Sequence, residues 1–307
     1  LLLPAVDFLL NEPVHFRKIT IVGVGLLGGS IGLAARKRRL AGQVAGFVRR
    51  KASVAECLRA GAVDVATRDL REAVEDADLV ILCTPLSRMR SLVMEMLPAL
   101  RPGAILTDVG SVKGPAVRSL ESLAGKAGAR FVGSHPMAGA ETAGVAAARA
   151  DLFDRAVCVV TPTRRTDPVA LRKVERFWKA LGARPLRLDP ERHDVLVSRS
   201  SHLPHIAAVI LANLVLDPAK PRHQADLCAS GFRDATRIAS GSPELWRDIA
   251  MANRKNLDRA LAAYGRELEK FRRALRRSDA GAVSRALESA KRRRDAWRAP
   301  GAPASSE

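Results

Sequence analysis

Along the first half of the chain the apolar positions switch repeatedly between two periods. A β-branched run at 18–22 (KITIV) precedes three glycines, and residues 27–39 then carry apolar side chains at helical spacing. A strand, a tight turn and a helix follow one another. The alternation recurs, with strands predicted at 43–48, 63–66, 79–83 and 104–108 and helices at 53–60, 70–77 and 88–100. Two more strand-like runs, 130–132 and 156–161, lead to a helix at 168–181 and a last strand at 184–189. Strands separated by helices predict an α/β fold, a Rossmann-type doubly wound parallel sheet.

From Pro190 the β signal stops. Apolar residues return every three or four positions, as in Leu245, Ile249, Leu257, Leu261, Tyr264, Leu268, Phe271 and Leu275. This pattern predicts an all-α second domain, of a kind that buries helices against a twin subunit in a homodimer. The expected division is an N-terminal extension at 1–17, a dinucleotide-binding domain at 18–189, a helical dimerisation and substrate domain at 190–298, and a disordered tail at 299–307 (APGAPASSE).

Bulk properties narrow the function classes. With 47% hydrophobic residues in 307, the chain has enough apolar side chains for two cores. The segment LLLPAVDFLL is interrupted by Pro4 and Asp7 and lacks basic residues before it, so it reads as neither signal peptide nor membrane span. Cys57, Cys83, Cys158 and Cys228 lie far apart without metal-ligand spacing, which points to reduced thiols in the cytoplasm and no metal site.

A formal charge of +19 brings nucleic acid into consideration. The basic residues are spread along helical stretches and a single Tyr is present, so a stacking surface for bases is not expected. Solvated arginine-rich helix faces that also attract anionic substrates account for the charge more simply.

Gly23, Gly25 and Gly28 have the G-x-G-x-x-G spacing, with Leu27 between them, after a strand and before a helix. In that context the first glycine permits the turn, the second lets a pyrophosphate approach the backbone, and the third allows close packing of helix on strand. An Asp or Glu after the second strand would hold the ribose 2′-hydroxyl of NAD. Arg49 and Arg50 stand there instead, which favours a 2′-phosphate and therefore NADP+ within an NAD(P)+ site. Two solvent-facing arginines in a protein that accepts either cofactor fit the same residues.

In an open parallel sheet, ligands sit beyond the carboxyl ends of the strands. Thr84, Pro85 and the segment Asp108-Val109-Gly110-Ser111-Val112-Lys113 occupy such positions. Ser111 is a candidate partner for both a cofactor amide and a histidine, Lys113 a candidate to offset substrate charge, and Asp108 either a site residue or a helix cap. His135 lies among the small, turn-forming residues of G-S-H-P-M-A-G and is the candidate base, since imidazole accepts a proton near neutral pH.

Taken together, G-V-G-L-L-G-G-S, L-C-T-P, T-D-V-G-S-V-K, G-S-H-P-M-A-G-A-E, S-H-L-P-H, G-F-R-D-A-T-R-I-A and W-R-D resemble the prephenate/arogenate dehydrogenase family of tyrosine biosynthesis. The resemblance implies oxidative decarboxylation of a cyclohexadienol with NAD(P)+, prephenate being favoured and arogenate the alternative. It implies His135 as base and Ser111 as the group orienting it and the nicotinamide. Arg237 would grip a substrate carboxylate, Ser201, His202 and His205 would line the pocket, Glu141 would stand near its entrance, and Asp234 and Trp246 near the subunit boundary. Ala140 departs from a common threonine, and the length leaves no expected room for a fused chorismate mutase or regulatory domain. A β-hydroxyacid dehydrogenase, expected to use a lysine base, and a non-catalytic nucleic-acid-binding protein are the remaining alternatives.

Overall fold

The computed structural model describes residues 14–139, 142–219 and 222–297. Strand β1 (Phe16–Val22) begins two residues before the expected domain start, and Phe16 is buried edge-on against Phe177. It is followed by α1 (Leu26–Lys37), β2 (Ala41–Phe47), α2 (Lys51–Arg59), β3 (Val65–Thr67), α3 (Leu70–Val74), β4 (Leu79–Leu82), α4 (Leu86–Met96), β5 (Ile105–Asp108), α5 (Gly114–Lys126) and β6 (Arg130–Pro136). Strand β7 (Val157–Thr161), α6 (Pro168–Ala180) and β8 (Arg184–Arg187) complete an eight-stranded sheet of order β3-β2-β1-β4-β5-β6-β7-β8. Apolar side chains on its two faces form two cores, one built around Ile19, Ile21 and Trp178 and the other around Val80, Leu82 and Leu106.

The sheet is parallel as expected from β3 through β6, and then reverses. β7 runs antiparallel to β6, and β8 is parallel to β7. The reason lies in the connection. A parallel neighbour needs a crossover, usually a helix, whereas 137–156 contains only the single 3-10 turn Val145–Ala147 among its described residues. β6 is also four residues longer than the 130–132 run. Gly133, Ser134 and His135 pair with Thr161, Val160 and Val159, so His135 sits on a strand and not in a turn. Gly133 is required there, because a Cβ would press on Thr161 and Val117.

Behind that pair stands Trp178, fully buried, whose indole N–H donates to Ser134 Oγ at 3.0 Å. Ser134 Oγ in turn donates to the Asp108 carbonyl at 2.6 Å, tying β6 to the end of β5.

The second domain comprises α7 (Pro190–Val197), a π turn (Ser198–His202), α8 (Leu203–Val215), α9 (Arg222–Asp226), α10 (Ser230–Thr236), a 3-10 turn (Arg237–Ser240), α11 (Pro243–Ala252), α12 (Arg254–Arg276) and α13 (Ala280–Ala296). Asp189 caps α7 and Pro190 occupies its first turn. Only part of the predicted apolar stripe is buried. Ile249 and Leu257 face inward, while Leu245, Tyr264, Leu268 and Leu275 are exposed, together with Ile210, Leu214 and Leu287. The continuous helical stretch Pro190–Val215 is long and apolar enough to cross a bilayer on length and composition alone, and it also carries buried His193, Asp194, His202 and His205. The extension up to residue 13 and the tail 299–307 lie outside the described residues.

Truncating Trp178 to Ala removes a packed indole and the donor to Ser134. An expected loss of about 3–5 kcal/mol is read as a fall in the denaturant midpoint; a change below about 1 kcal/mol would mean that Trp178 does not brace β6.

Candidate active site

The carboxyl ends of β1, β4, β5 and β6 lie side by side, and each turn there has a distinct job. Gly23 adopts φ +98°, and a Cβ on it would come within 2.8 Å of the Cys83 carbonyl oxygen. Gly28 is crowded by that same turn, since a Cβ would overlap the Gly23 carbonyl oxygen, whereas around Gly25 there is nothing within 4 Å. Helix α1 starts at this open position with no side-chain cap and no acidic residue in its first turn. Its free amide ends are therefore available to an anion, which is the environment a dinucleotide pyrophosphate needs.

The turn opens into a cleft of about 510 Å³ lined by Gly23, Gly25, Arg49, Arg50, Thr84 and Pro85 on one side and, on the other, by Leu245 and Asp248 of α11 and its capping residue Ser242. Arg49 and Arg50 are exposed at its rim, Leu27 is half-buried in the first turn of α1, and the Thr84 hydroxyl oxygen is buried without a partner among the described residues. An orphaned hydroxyl beside an uncapped helix end fits a polar ligand.

Two strands along, a buried ion pair supports the next turn. Lys113 is fully buried, and its ammonium donates to Asp108 and, at 2.7 Å, to the Ser134 carbonyl. Asp108 also accepts from the amides of Gly110 (2.9 Å) and Ser134 (3.2 Å). Lys113 is turned into the protein and does not face a substrate, and of the two roles considered for Asp108 the capping of α5 is not the one found. That helix is capped from the other domain, because Asp194 accepts the amides of Lys113 at 2.7 Å and Gly114 at 2.8 Å. Both Asp108 and Lys113 need each other, since an unpaired charge buried here would be costly.

His135 is 7% exposed, and its Nδ1 lies 2.9 Å from His193 Nε2. His193 Nδ1 lies 2.8 Å from Asp194 Oδ1. The bond that holds His135 thus runs to His193; Ser111, half-buried just beyond β5, is not the group fixing it here. Burial, followed by electrostatic coupling to His193 and Lys113, holds the His135 imidazole well below its ordinary 6.5, so the ring is neutral at physiological pH. His202 is pushed down to about 4, chiefly by burial.

The helical domain supplies the facing wall. The π turn carries half-buried Ser201 and buried His202, whose Nδ1 lies 3.2 Å from Asn253 Nδ2. His205 stacks on Trp246 with ring centroids 3.4 Å apart, so Trp246 packs within the chain against this wall. Arg237 begins the 3-10 turn after α10 and is exposed, as is Asp234 one turn earlier beside Arg233. Glu141 lies outside the described residues. Sequence reasoning missed His193, Asp194 and Asn253. An adjacent His-Asp pair just after a capped helix start was the available signal.

Comparison with known proteins places this arrangement. The model of the prephenate dehydrogenase nucleotide-binding domain matches residues 31–186, and that of the prephenate dehydrogenase dimerization domain matches 189–289. The chain belongs to the prephenate dehydrogenase family. A prephenate dehydrogenase of Bacillus subtilis is 33% identical over 90% of this chain and 75% of its own length. A cyclohexadienyl dehydrogenase of Zymomonas mobilis is 34% identical over 86% of this chain and 90% of its own. Among solved structures, a prephenate dehydrogenase from A. aeolicus in complex with hydroxyphenyl propionate and NAD+ superposes with a TM-score of 0.86, at 30% identity over 92% of this chain and 99% of that one. The two matches together reach both domains and include the His193-Asp194 pair, whereas the glycine turn at 23–28 precedes the first matched residue.

The glycine environments separate folding from binding. Gly25→Ala is expected to leave the melting temperature within about 2 °C, because its Cβ meets open space, and to weaken NAD(P)+ binding at least tenfold by calorimetry, a loss of about 1.4 kcal/mol. Gly28→Ala is expected to lower the melting temperature itself. Undiminished cofactor affinity in Gly25→Ala would place the pyrophosphate elsewhere.

Proposed function

We propose that this protein is a prephenate dehydrogenase, converting prephenate to 4-hydroxyphenylpyruvate and CO2 with NAD(P)+. The observation that carries the reading is a neutral, buried His135 on the carboxyl edge of the sheet, along the same edge as an uncapped helix end with open space at Gly25. The oxidised nicotinamide supplies a hydride acceptor. His135 takes the proton of the ring C4 hydroxyl as hydride leaves C4. The ring carboxylate then departs as CO2, its bonding pair enters the ring, and the proton held on His135 returns to the phenolate oxygen. Atoms and electrons balance without a metal.

Ser111 lies close to the nicotinamide position in this reading. Arg237 binds a substrate carboxylate through two parallel hydrogen bonds, while Ser201, His202 and His205 line the pocket and Trp246 holds the His205 ring by stacking. Asp234 belongs near the boundary with a second subunit.

Arg49 and Arg50 at the cleft rim, with no carboxylate at the end of β2, support NADP+ over NAD+. The exposed apolar residues Ile210, Leu214, Tyr264, Leu268 and Leu275 support a homodimer through the helical domain, because a helical surface this apolar is stable in water only when covered. The +19 charge then serves anionic ligands, and the family match across both domains favours this reading over the β-hydroxyacid one.

Initial rates of nicotinamide reduction, with prephenate and arogenate crossed against NAD+ and NADP+, test the reading. The highest kcat/KM is expected with prephenate and NADP+; no turnover in any combination, with cofactor bound, would overturn it. His135→Asn should lower kcat by about 10²–10⁴-fold with little change in KM.

The depressed His135 pKa fixes the pH profile. The base is unprotonated above its pKa, so kcat/KM is expected to hold its plateau as pH falls through 6.5 and to decline only at lower pH. An acid limb at or above 6.5 would exclude His135 as the base of the free enzyme.

For the assembly, sedimentation at micromolar protein is expected to give twice the 33.0 kDa chain mass. Leu214→Asp should shift it to the single mass, and a wild-type monomer would leave the apolar helix face unexplained.

A further inference from the structure

With His193 neutral, the hydrogen bonds around Asp194 allow one placement of protons on the rings beside it. Both oxygens of this carboxylate accept from backbone amides, those of Lys113 and Gly114, which can only donate. Towards His193 Nδ1, at 2.8 Å, Oδ1 again accepts, so Nδ1 bears the proton. A neutral imidazole has one N–H, and His193 Nε2 is therefore a lone pair. It faces His135 Nδ1 at 2.9 Å, which must donate. The lone pair of His135 is left on Nε2.

A second chain starts at the Asp194 main-chain carbonyl, which only accepts. The Asn253 atom 2.8 Å from it is thus the amide nitrogen, and the opposite Oδ1 accepts from Asn256 Nδ2 at 2.8 Å. Two contacts fix the orientation of this amide. Its nitrogen also faces His202 Nδ1 at 3.2 Å, so Nδ1 accepts and the ring proton is on Nε2. That atom is buried and has no partner among the described residues.

We infer that His193-Asp194 and Asn253 set the two buried histidines of the site in opposite tautomers, His135 offering a lone pair at Nε2 and His202 an N–H at Nε2. The inference rests on the proposed role of His135 as the base. It makes His193 and Asp194 positioning residues: when His135 Nε2 takes the hydroxyl proton, the resulting imidazolium donates through Nδ1 to a dyad that ends in a carboxylate. It also assigns His202 Nε2–H to a substrate oxygen acceptor, a carboxylate or a keto group, since a buried donor without a partner is costly.

The test is the two-bond nitrogen–proton correlation spectrum of the full chain labelled with ¹⁵N-histidine, signals being assigned by His135→Asn and His202→Asn. The expected spectrum has a protonated Nδ1 and bare Nε2 for His135, and the reverse for His202. A bare Nδ1 on His135, the pattern a cationic His193 would impose, overturns the proposal. In His193→Phe the His135 signature should be lost and kcat should fall about 10²-fold or more, with KM within about threefold.

His193→Gln keeps an acceptor for His135 and a donor for Asp194, and should recover at least about tenfold of that loss. Equal kcat in wild type and His193→Phe overturns the role, and if His193→Phe does not fold, the wild-type spectrum alone decides. The spectra need no substrate. Opposite tautomers in a protein that turns over neither prephenate nor arogenate would sustain the proton assignment while removing the proposed activity.

Discussion

One carboxylate joins the two halves of the molecule. Asp194, on the first helix of the second domain, accepts the two amides that open α5 in the first domain and at the same time holds His193. A helix start presents unsatisfied N–H groups and a partial positive charge, so an anion there satisfies donors and dipole together. Supplied from another domain, this cap fixes the angle at which the helical wall meets the sheet edge. His135 then receives its partner from one domain and its backbone from the other. The His135–His193 contact forms only when the domains are docked.

Beneath this cap, the Lys113–Asp108 pair links β5, the turn after it and β6 through Gly110 and Ser134. Buried pairs contribute little net stability, because desolvation offsets most of the attraction. What the pair does is geometric: both charges are engaged by β5, the turn after it and β6, which ties the strand carrying His135 to the end of β5. Trp178 completes the support from the opposite side, through Ser134.

The parts of this arrangement legible in the sequence are those governed by local rules. Alternation of periods located the strands and helices through β6, and the glycine spacing marked the turn whose environments at Gly23, Gly25 and Gly28 differ as the motif requires. Four features depended on partners distant in the chain. Gly133-Ser134-His135 has turn-like composition, yet pairing with β7 makes it strand, because neighbours override weak β propensity. The apolar stripe at Tyr264, Leu268 and Leu275, expected to be buried against a twin subunit, is surface in the single chain. His193 and Asp194 look like ordinary polar residues on a helix until the fold sets them against His135 and the α5 amides. Lys113, read as a cation for substrate, is consumed inside the protein.

The π turn at Ser198–His202 interrupts an otherwise continuous helical run from Pro190 to Val215. Such a turn inserts one extra residue, and each residue of an α-helix advances the side chain by about 100°. The insertion is thus a phase shift between two segments: the first is keyed to Asp194 and the second turns His205 inward while Ile210 and Leu214 point away. Deleting a single residue from the turn would rotate everything after it by nearly a third of a revolution. His205 would then swing out of the site and the apolar residues part of the way towards it, so the helix keeps its site and its outer surface in register by carrying one residue too many.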